Sequence, residues 1–158
     1  MKEENYMNYF IRRLEKNDIK TLAGIMKDSF YYEPWNEIWD ENKCVERLNI
    51  YNSISSACSF TLLNENNKIC GAVIGYIIPF VDKIEYDLQE FFIDQNLQKN
   101  HLGTFLMNEL LKELKVLNVD KVKFYTTGML DKFYNKFGYK KVDDEYLMEL
   151  NINTNSHI

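Results

Sequence analysis

The run from Glu85 to Tyr125 constrains the fold of this chain most, because it reads strand, loop, long helix, strand. Glu85–Ile93 (EYDLQEFFI) has the aromatic and aliphatic character of a strand. Alternation puts Tyr86, Leu88, Glu90 and Phe92 on one face and Asp87, Gln89, Phe91 and Ile93 on the other. After a short loop a helix starts near Gly103. Its Leu106, Leu110, Leu114 and Leu117 form one apolar stripe, widened by Met107 and Leu111, while Glu109, Lys112 and Lys115 take the wet side. Val119–Tyr125 (VDKVKFY) is the second strand. Strands joined through a helix lie parallel, so the fold is a mixed α/β one.

The remaining segments fit around this unit. Tyr9–Leu14 reads as a strand, and Asn17 and Asp18 supply N-cap chemistry for a helix carrying Ile19, Leu22, Ala23, Met26 and Phe30. Tyr31–Asn42 is irregular, acidic and aromatic, interrupted by Pro34. A second helix over about Asp40–Ser55 carries Val45, Leu48, Ile50 and Tyr51. Ser59–Leu63 and Ile69–Ile78 read as a hairpin closed by Asn64–Lys68, with a further turn at Asp82 and Lys83. A short helix over Met129–Phe137 ends at Gly138, and strands over Tyr139–Val142 and Tyr146–Leu150 close the chain. We expect a single domain over residues 7–150, with a loose polar tail at 151–158 and an opening MKEENYMN that frays.

Charge and cysteine content narrow the function classes. With 24 acids against 19 bases, a net −5 disfavours nucleic acid as a partner and is compatible with a cationic small molecule. Cys44, Cys58 and Cys70 are odd in number and lack CxxC spacing, which reads as free thiols in a reducing cytosol. No apolar stretch is long enough for a membrane span, so the expectation is a cytoplasmic protein without membrane contact. No metal-ligand pattern is present, and no metal is expected.

The loop before the long helix carries chemistry. A chain entering a helix presents several backbone N–H groups to one point, and the helix dipole adds partial positive charge there. Asn100, Leu102, Gly103 and Thr104 would offer such amides, with the Thr104 hydroxyl beside them, to a phosphate or pyrophosphate. The segment is neither a GxxxxGK[ST] phosphate loop nor a dinucleotide fingerprint. By spacing alone, an anion site and an ordinary helix start both remain open.

Gln98-Lys99-Asn100-His101-Leu102-Gly103 resembles the acetyl-CoA motif of the GNAT N-acetyltransferase superfamily, Gln/Arg-x-x-Gly-x-Gly/Ala. Gln98 and Gly103 match, while His101 stands where the first glycine is usual. Downstream, Phe133-Tyr134-Asn135-Lys136-Phe137-Gly138-Tyr139 is similar to the family's FYxxxGF signature. The usual asparagine seven residues before that tyrosine is Thr127 here, and the usual alanine four before it is Leu130. The order of elements also agrees over most of the chain.

The resemblance implies a GNAT acyl-CoA N-acyltransferase fold: a mostly antiparallel central sheet, one parallel strand pair splayed for CoA, and flanking helices. It implies acetyl-CoA as cosubstrate, bound by backbone groups of Phe91, Phe92 and Ile93, by Gln98, Lys99, Asn100, His101, Leu102, Gly103 and Thr104, and by Thr127. It further implies Glu90 as general base and Tyr134 as proton donor to the leaving thiolate. The ordinary phenol pKa of about 10 lies near that of a thiol.

In this family the loop between the first two helices walls the acceptor pocket. Here Tyr32, Glu33, Trp35, Glu37 and Trp39 fall in it, and aromatic faces beside carboxylates suit a cationic amine. The segment also resembles parts of aminoglycoside-acetyltransferase-like proteins. The expected activity is therefore acetyl transfer to a primary amine, aminoglycoside-like or polyamine-like. Two alternatives stay open: an acyl-CoA-binding sensor without turnover, and an acetyltransferase of protein N-termini or lysines. Homodimers are common in the family.

Overall fold

The structure, a computed structural model, describes residues 8–153. The expected fraying at the start and looseness at the end therefore fall largely outside the described residues. The chain divides into two compact units, the boundary lying between Tyr125 and Thr126.

The first unit is a sheet with helices. In chain order it contains β1 (Tyr9–Arg13), α1 (Ile19–Tyr31), α2 (Glu41–Asn52), β2 (Phe60–Asn64), β3 (Ile69–Pro79), β4 (Ile84–Ile93), α3 (Leu102–Val116) and β5 (Lys121–Lys123). The strands lie in the order β1-β2-β3-β4-β5. All neighbours are antiparallel except β4 and β5, which are parallel as the strand–helix–strand reading requires.

Helix α1 buries the stripe Ile19, Leu22, Ala23, Met26 and Phe30 against Cys44 and Leu48 of α2 and Ala72, Ile74 and Phe92 of the sheet. Helix α3 touches β3 and β4 and buries Leu102, Leu106, Met107, Leu110 and Leu114. Leu117, expected in its stripe, is exposed, because the helix stops at Val116. The three cysteines are buried free thiols.

Further local expectations are corrected. Asp18 does not cap α1 with its side chain. A 3-10 turn at Lys16–Asp18 leads into the helix. The buried carboxylate instead accepts from Arg12 at 2.7 and 2.9 Å, from Glu15 N at 2.9 Å and from Thr61 Oγ1 at 2.9 Å. Capping of that kind occurs one helix later, where Asp40 Oδ1 accepts from Asn42 N and Lys43 N at 2.8 and 3.3 Å.

The second correction concerns β4. Ile74 pairs with Glu90 but Gly75 pairs with Leu88, so Gln89 is an extra residue in the strand. A bulge reverses the alternation on its two sides. Glu90 and Phe92 therefore face α1 and α2, whereas Tyr86 and Leu88 share the face of Gly75. A side chain at Gly75 would meet the Tyr86 ring and lie 2.6 Å from the Asp87 carbonyl.

The second unit holds a 3-10 turn at Gly128–Leu130 and α4 (Asp131–Asn135). Gly138 follows with φ 92°, the left-handed conformation expected of a glycine after a helix. The expected strands at Tyr139–Val142 and Tyr146–Leu150 do not form among the described residues, and everything from Lys140 to Asn153 is exposed. Alternation describes a strand only where a neighbour supplies the ladder, and among the described residues none does so here.

Candidate functional site

Strand β4 outruns its parallel partner. Pairing with β5 covers Glu85, Tyr86 and Asp87. Among the described residues, only β3 pairs with β4 from Leu88 to Ile93. Backbone N–H and C=O groups are obligatory hydrogen bonders, so a strand edge of this kind suits an extended ligand that adds as a further strand. At its end the Ile93 carbonyl accepts from Ser29 Oγ of α1 at 2.7 Å and from Gln98 Nε2 at 3.4 Å. The structure thus brings Gln98 together with the end of the strand.

The chain then turns into α3. Asp94 Oδ1 accepts from Asn96 N at 3.0 Å, and a 3-10 stretch covers Gln95–Asn100. His101 ends that stretch and opens α3 with φ 57° and ψ 20°, a left-handed residue at the surface. The helical ladder begins with Phe105 N to the His101 carbonyl at 3.2 Å, so the amides of Leu102 and Gly103 precede it at the positive end of the helix. Asn100 is exposed, Leu102 buried, and Gly103 and Thr104 half-buried. The side chain of Lys99 lies outside the described residues. The left-handed backbone gives a second reason why glycine is usual at the His101 position, in addition to close approach by a ligand.

Glu90 is 8% exposed and receives a hydrogen bond from Arg47 Nε on α2. The Arg47 guanidinium lies 5.5 Å from the Trp39 ring centre and 5.4 Å from that of Tyr51. Burial pushes the Glu90 carboxyl above its ordinary value and Glu37 adds to this, with Arg47 opposing. Burial works against the Arg47 charge, yet Glu90 leaves its pKa raised. The two shifts favour opposite states of the pair: Arg47 holds its proton harder, while Glu90 is easier to protonate than a free glutamate. The geometry resolves this, because Glu90 is the more deeply buried partner and carries most of the desolvation cost.

Trp39 Nε1 donates to Glu37 Oε1 at 3.4 Å. Trp35 packs edge-on against Phe30 at 5.6 Å, and Phe30 against Phe92 at 6.2 Å. The two tryptophans of the loop between α1 and α2 therefore reach β4 by two routes, Trp35 through Phe30 and Trp39 through Arg47. Tyr32 meets Tyr31 at 5.3 Å, and both Tyr32 and Glu33 are exposed. The Trp39 face, expected to attract the cation of an acceptor, is met by the chain's own Arg47.

Tyr134 and Thr127 belong to the second unit. Tyr134 is buried, with Phe133 at 5.0 Å and Tyr139 at 5.8 Å. Burial pushes its phenol up to about 12, against a lowering hydrogen bond with Thr126, so the expected near match to a thiol does not hold. Thr127 Oγ1 accepts from Met129 N at 3.4 Å and caps the turn that follows. Among the described residues, no group of His, Cys, Asp or Glu gathers to hold a metal ion.

Sequence reasoning missed Arg47 and Ser29. The signal for Arg47 was available: Cys44, Arg47, Leu48 and Tyr51 follow i, i+3, i+4, i+7 spacing, which puts a cation on the inward stripe of a helix. Ser29 gave no comparable signal, since its role depends on where β4 ends.

Comparison with known proteins agrees with this geometry. The sequence model of the acetyltransferase (GNAT) family matches residues 20–139. No curated protein sequence matches the chain. Among solved structures, a possible acetyltransferase from Clostridium difficile is similar with TM-score 0.78 at 11% identity, covering 92% of this chain and 99% of that one. A GNAT family acetyltransferase from Staphylococcus aureus has TM-score 0.69 at 20% identity, covering 91% and 100%. A glucosamine-6-phosphate N-acetyltransferase from Arabidopsis thaliana has TM-score 0.63 at 17% identity, covering 92% and 99%. At these identities the likeness is one of fold.

Proposed function

Because the chain belongs to the acetyltransferase (GNAT) family, we propose that it moves the acetyl group of acetyl-CoA to a primary amine. The acceptor is a small cationic amine, aminoglycoside-like or polyamine-like, and the protein works in the cytoplasm as one domain over residues 7–150. The observation that carries this reading is the β4 edge beyond Asp87, which leads through the loop into the N-terminus of α3.

The residues present fit the cosubstrate. Backbone groups of Phe91, Phe92 and Ile93 hold the extended arm along the β4 edge beyond Asp87. The amides at Asn100–Thr104, with Gln98 and Lys99, take the phosphate-bearing part. Tyr32, Glu33, Trp35, Glu37 and Trp39 wall the acceptor. The thioester supplies the activated acyl carbon. Glu90 accepts the proton that the amine must lose to attack, directly or through a water. The family resemblance assigns Tyr134 to the departing sulfur, and a phenol raised by burial suits a hydrogen-bond donor more than a proton donor. Holding the two reactants together supplies much of the acceleration.

The test is calorimetry with acetyl-CoA, followed by thiol release over an amine panel that includes kanamycin and spermidine. Saturable binding and release with at least one amine are expected, and Glu90→Gln should lower kcat by about 100-fold with binding kept. Indifference to millimolar acetyl-CoA overturns the reading. The tie between Glu90 and Arg47 favours one alternative, an acyl-CoA sensor, for which binding without release by any amine would speak.

A further inference from the structure

We propose that Arg47 is the positioning residue of this site, holding the Glu90 carboxylate in place and in its charged form while Trp39 and Tyr51 hold Arg47. The inference deepens the function proposed above and rests on Glu90 being the base.

Glu90 sits on the face of β4 that meets α1 and α2, opposite Ile74 and in the same layer as Met26, Phe30, Leu48 and Phe92. An ionised carboxylate in such a layer needs a partner. The charges that bear on it are few. Arg47 of α2 favours the anion, and Glu37 of the acceptor-side loop opposes it. Of the other titratable groups on α2, Cys44 has its thiol pushed up to about 11 and the Tyr51 phenol is also raised, so both are neutral near pH 7. From β3 the facing residue is Ile74, and α1 contributes apolar side chains. Among the described residues, the ionisation of Glu90 therefore depends on one guanidinium.

That guanidinium is fixed in turn. It lies over two rings, one from the loop and one from its own helix, at nearly equal distances of 5.5 and 5.4 Å. A planar, delocalised cation stacks in this way, which a lysine ammonium does less well. A base that is already protonated cannot take the amine's proton, so Arg47 decides the pH range over which Glu90 works. The same contact ties the acceptor loop to the reacting strand through Trp39.

The test uses the full chain with glutamate side chains labelled with 13C at the carboxyl, followed by NMR over a pH series. Glu90→Gln identifies the signal. In Arg47→Gln the Glu90 midpoint is expected to rise by about one pH unit, tenfold in proton affinity, or more. Arg47→Lys, which keeps the charge, should stay nearer the unaltered protein. Thiol release from acetyl-CoA with spermidine as acceptor should shift its acid limb upward with the midpoint and recover at higher pH.

An unmoved midpoint in folded Arg47→Gln, checked by circular dichroism, overturns the inference. If that variant does not fold, Trp39→Leu with Tyr51→Leu loosens the guanidinium and should raise the midpoint in the same sense; no movement there is equally fatal. Absence of thiol release with every amine would overturn the transferase reading and leave the titration result standing.

Discussion

At the residue scale, the surroundings of Tyr134 narrow the role proposed for it. With the phenol at about 12, full proton transfer to a thiolate of pKa near 8.5 is uphill by roughly 5 kcal/mol. A hydrogen bond to sulfur carries no such penalty. Tyr134→Phe should therefore lower kcat by about tenfold, and the unaltered enzyme should show no basic limb from this residue below about pH 11 in a thiol-release profile. His101 is the second such case. Its φ of 57° places an L-residue where the backbone costs roughly 1–2 kcal/mol. His101→Val should lose about 1 kcal/mol or more in urea denaturation, because a β-branched residue tolerates this conformation worse. His101→Gly should keep stability and tighten acetyl-CoA binding in calorimetry, since it relieves the strain and removes the side chain.

At the scale of elements, the bulge in β4 is the decisive feature. It turns Glu90 toward α2 while leaving Leu88 opposite Gly75. Were Gln89 part of a regular alternation instead of bulged out, Glu90 would lie on the same face as Tyr86 and could not meet Arg47. Gly75 makes room for this arrangement by letting Tyr86 lie across it, where the Tyr86 hydroxyl donates to the Cys58 carbonyl at 2.8 Å. Gly75→Ala should therefore cost about 1–3 kcal/mol in urea denaturation, the range for overfilling a packed site. A variant that melts unchanged would mean that the ring moves aside freely.

At the scale of the whole molecule, two buried carboxylates pull stability in opposite directions with pH. Burial would raise Asp18, but Arg12, the Glu15 amide and Thr61 bring it below its ordinary 3.8. A lowered carboxylate contributes stability above that ordinary value and loses it as pH falls through its folded-state pKa. Glu90 is raised above its ordinary 4.5. Its contribution is present below 4.5 and lost as pH rises through the folded value. Asp18→Asn should cost on the order of 2 kcal/mol near pH 7, because Arg12 and Thr61 lose their ionic partner. It should also flatten the acid side of a plot of melting temperature against pH, which scanning calorimetry measures.

The long apolar stripe of α3, the β3 hairpin and the parallel pair around α3 were determined by local pattern, because periodicity depends on which face of one element is buried. So was the loop entering α3, where Gln98 and Gly103 stand at motif spacing. What lay beyond that pattern depended on neighbours. Only pairing with β3 reveals that Gln89 is extra, and only α2 docking beside β4 sets Arg47 against Glu90. The closing strands failed for the same reason: Tyr146–Leu150 alternates well enough, but alternation fixes which side chains share a face and says nothing of whether a partner edge exists. Charge pairing, strand register and the ionisation of a buried group are properties of residues far apart in the chain, so the tertiary structure alone decided them.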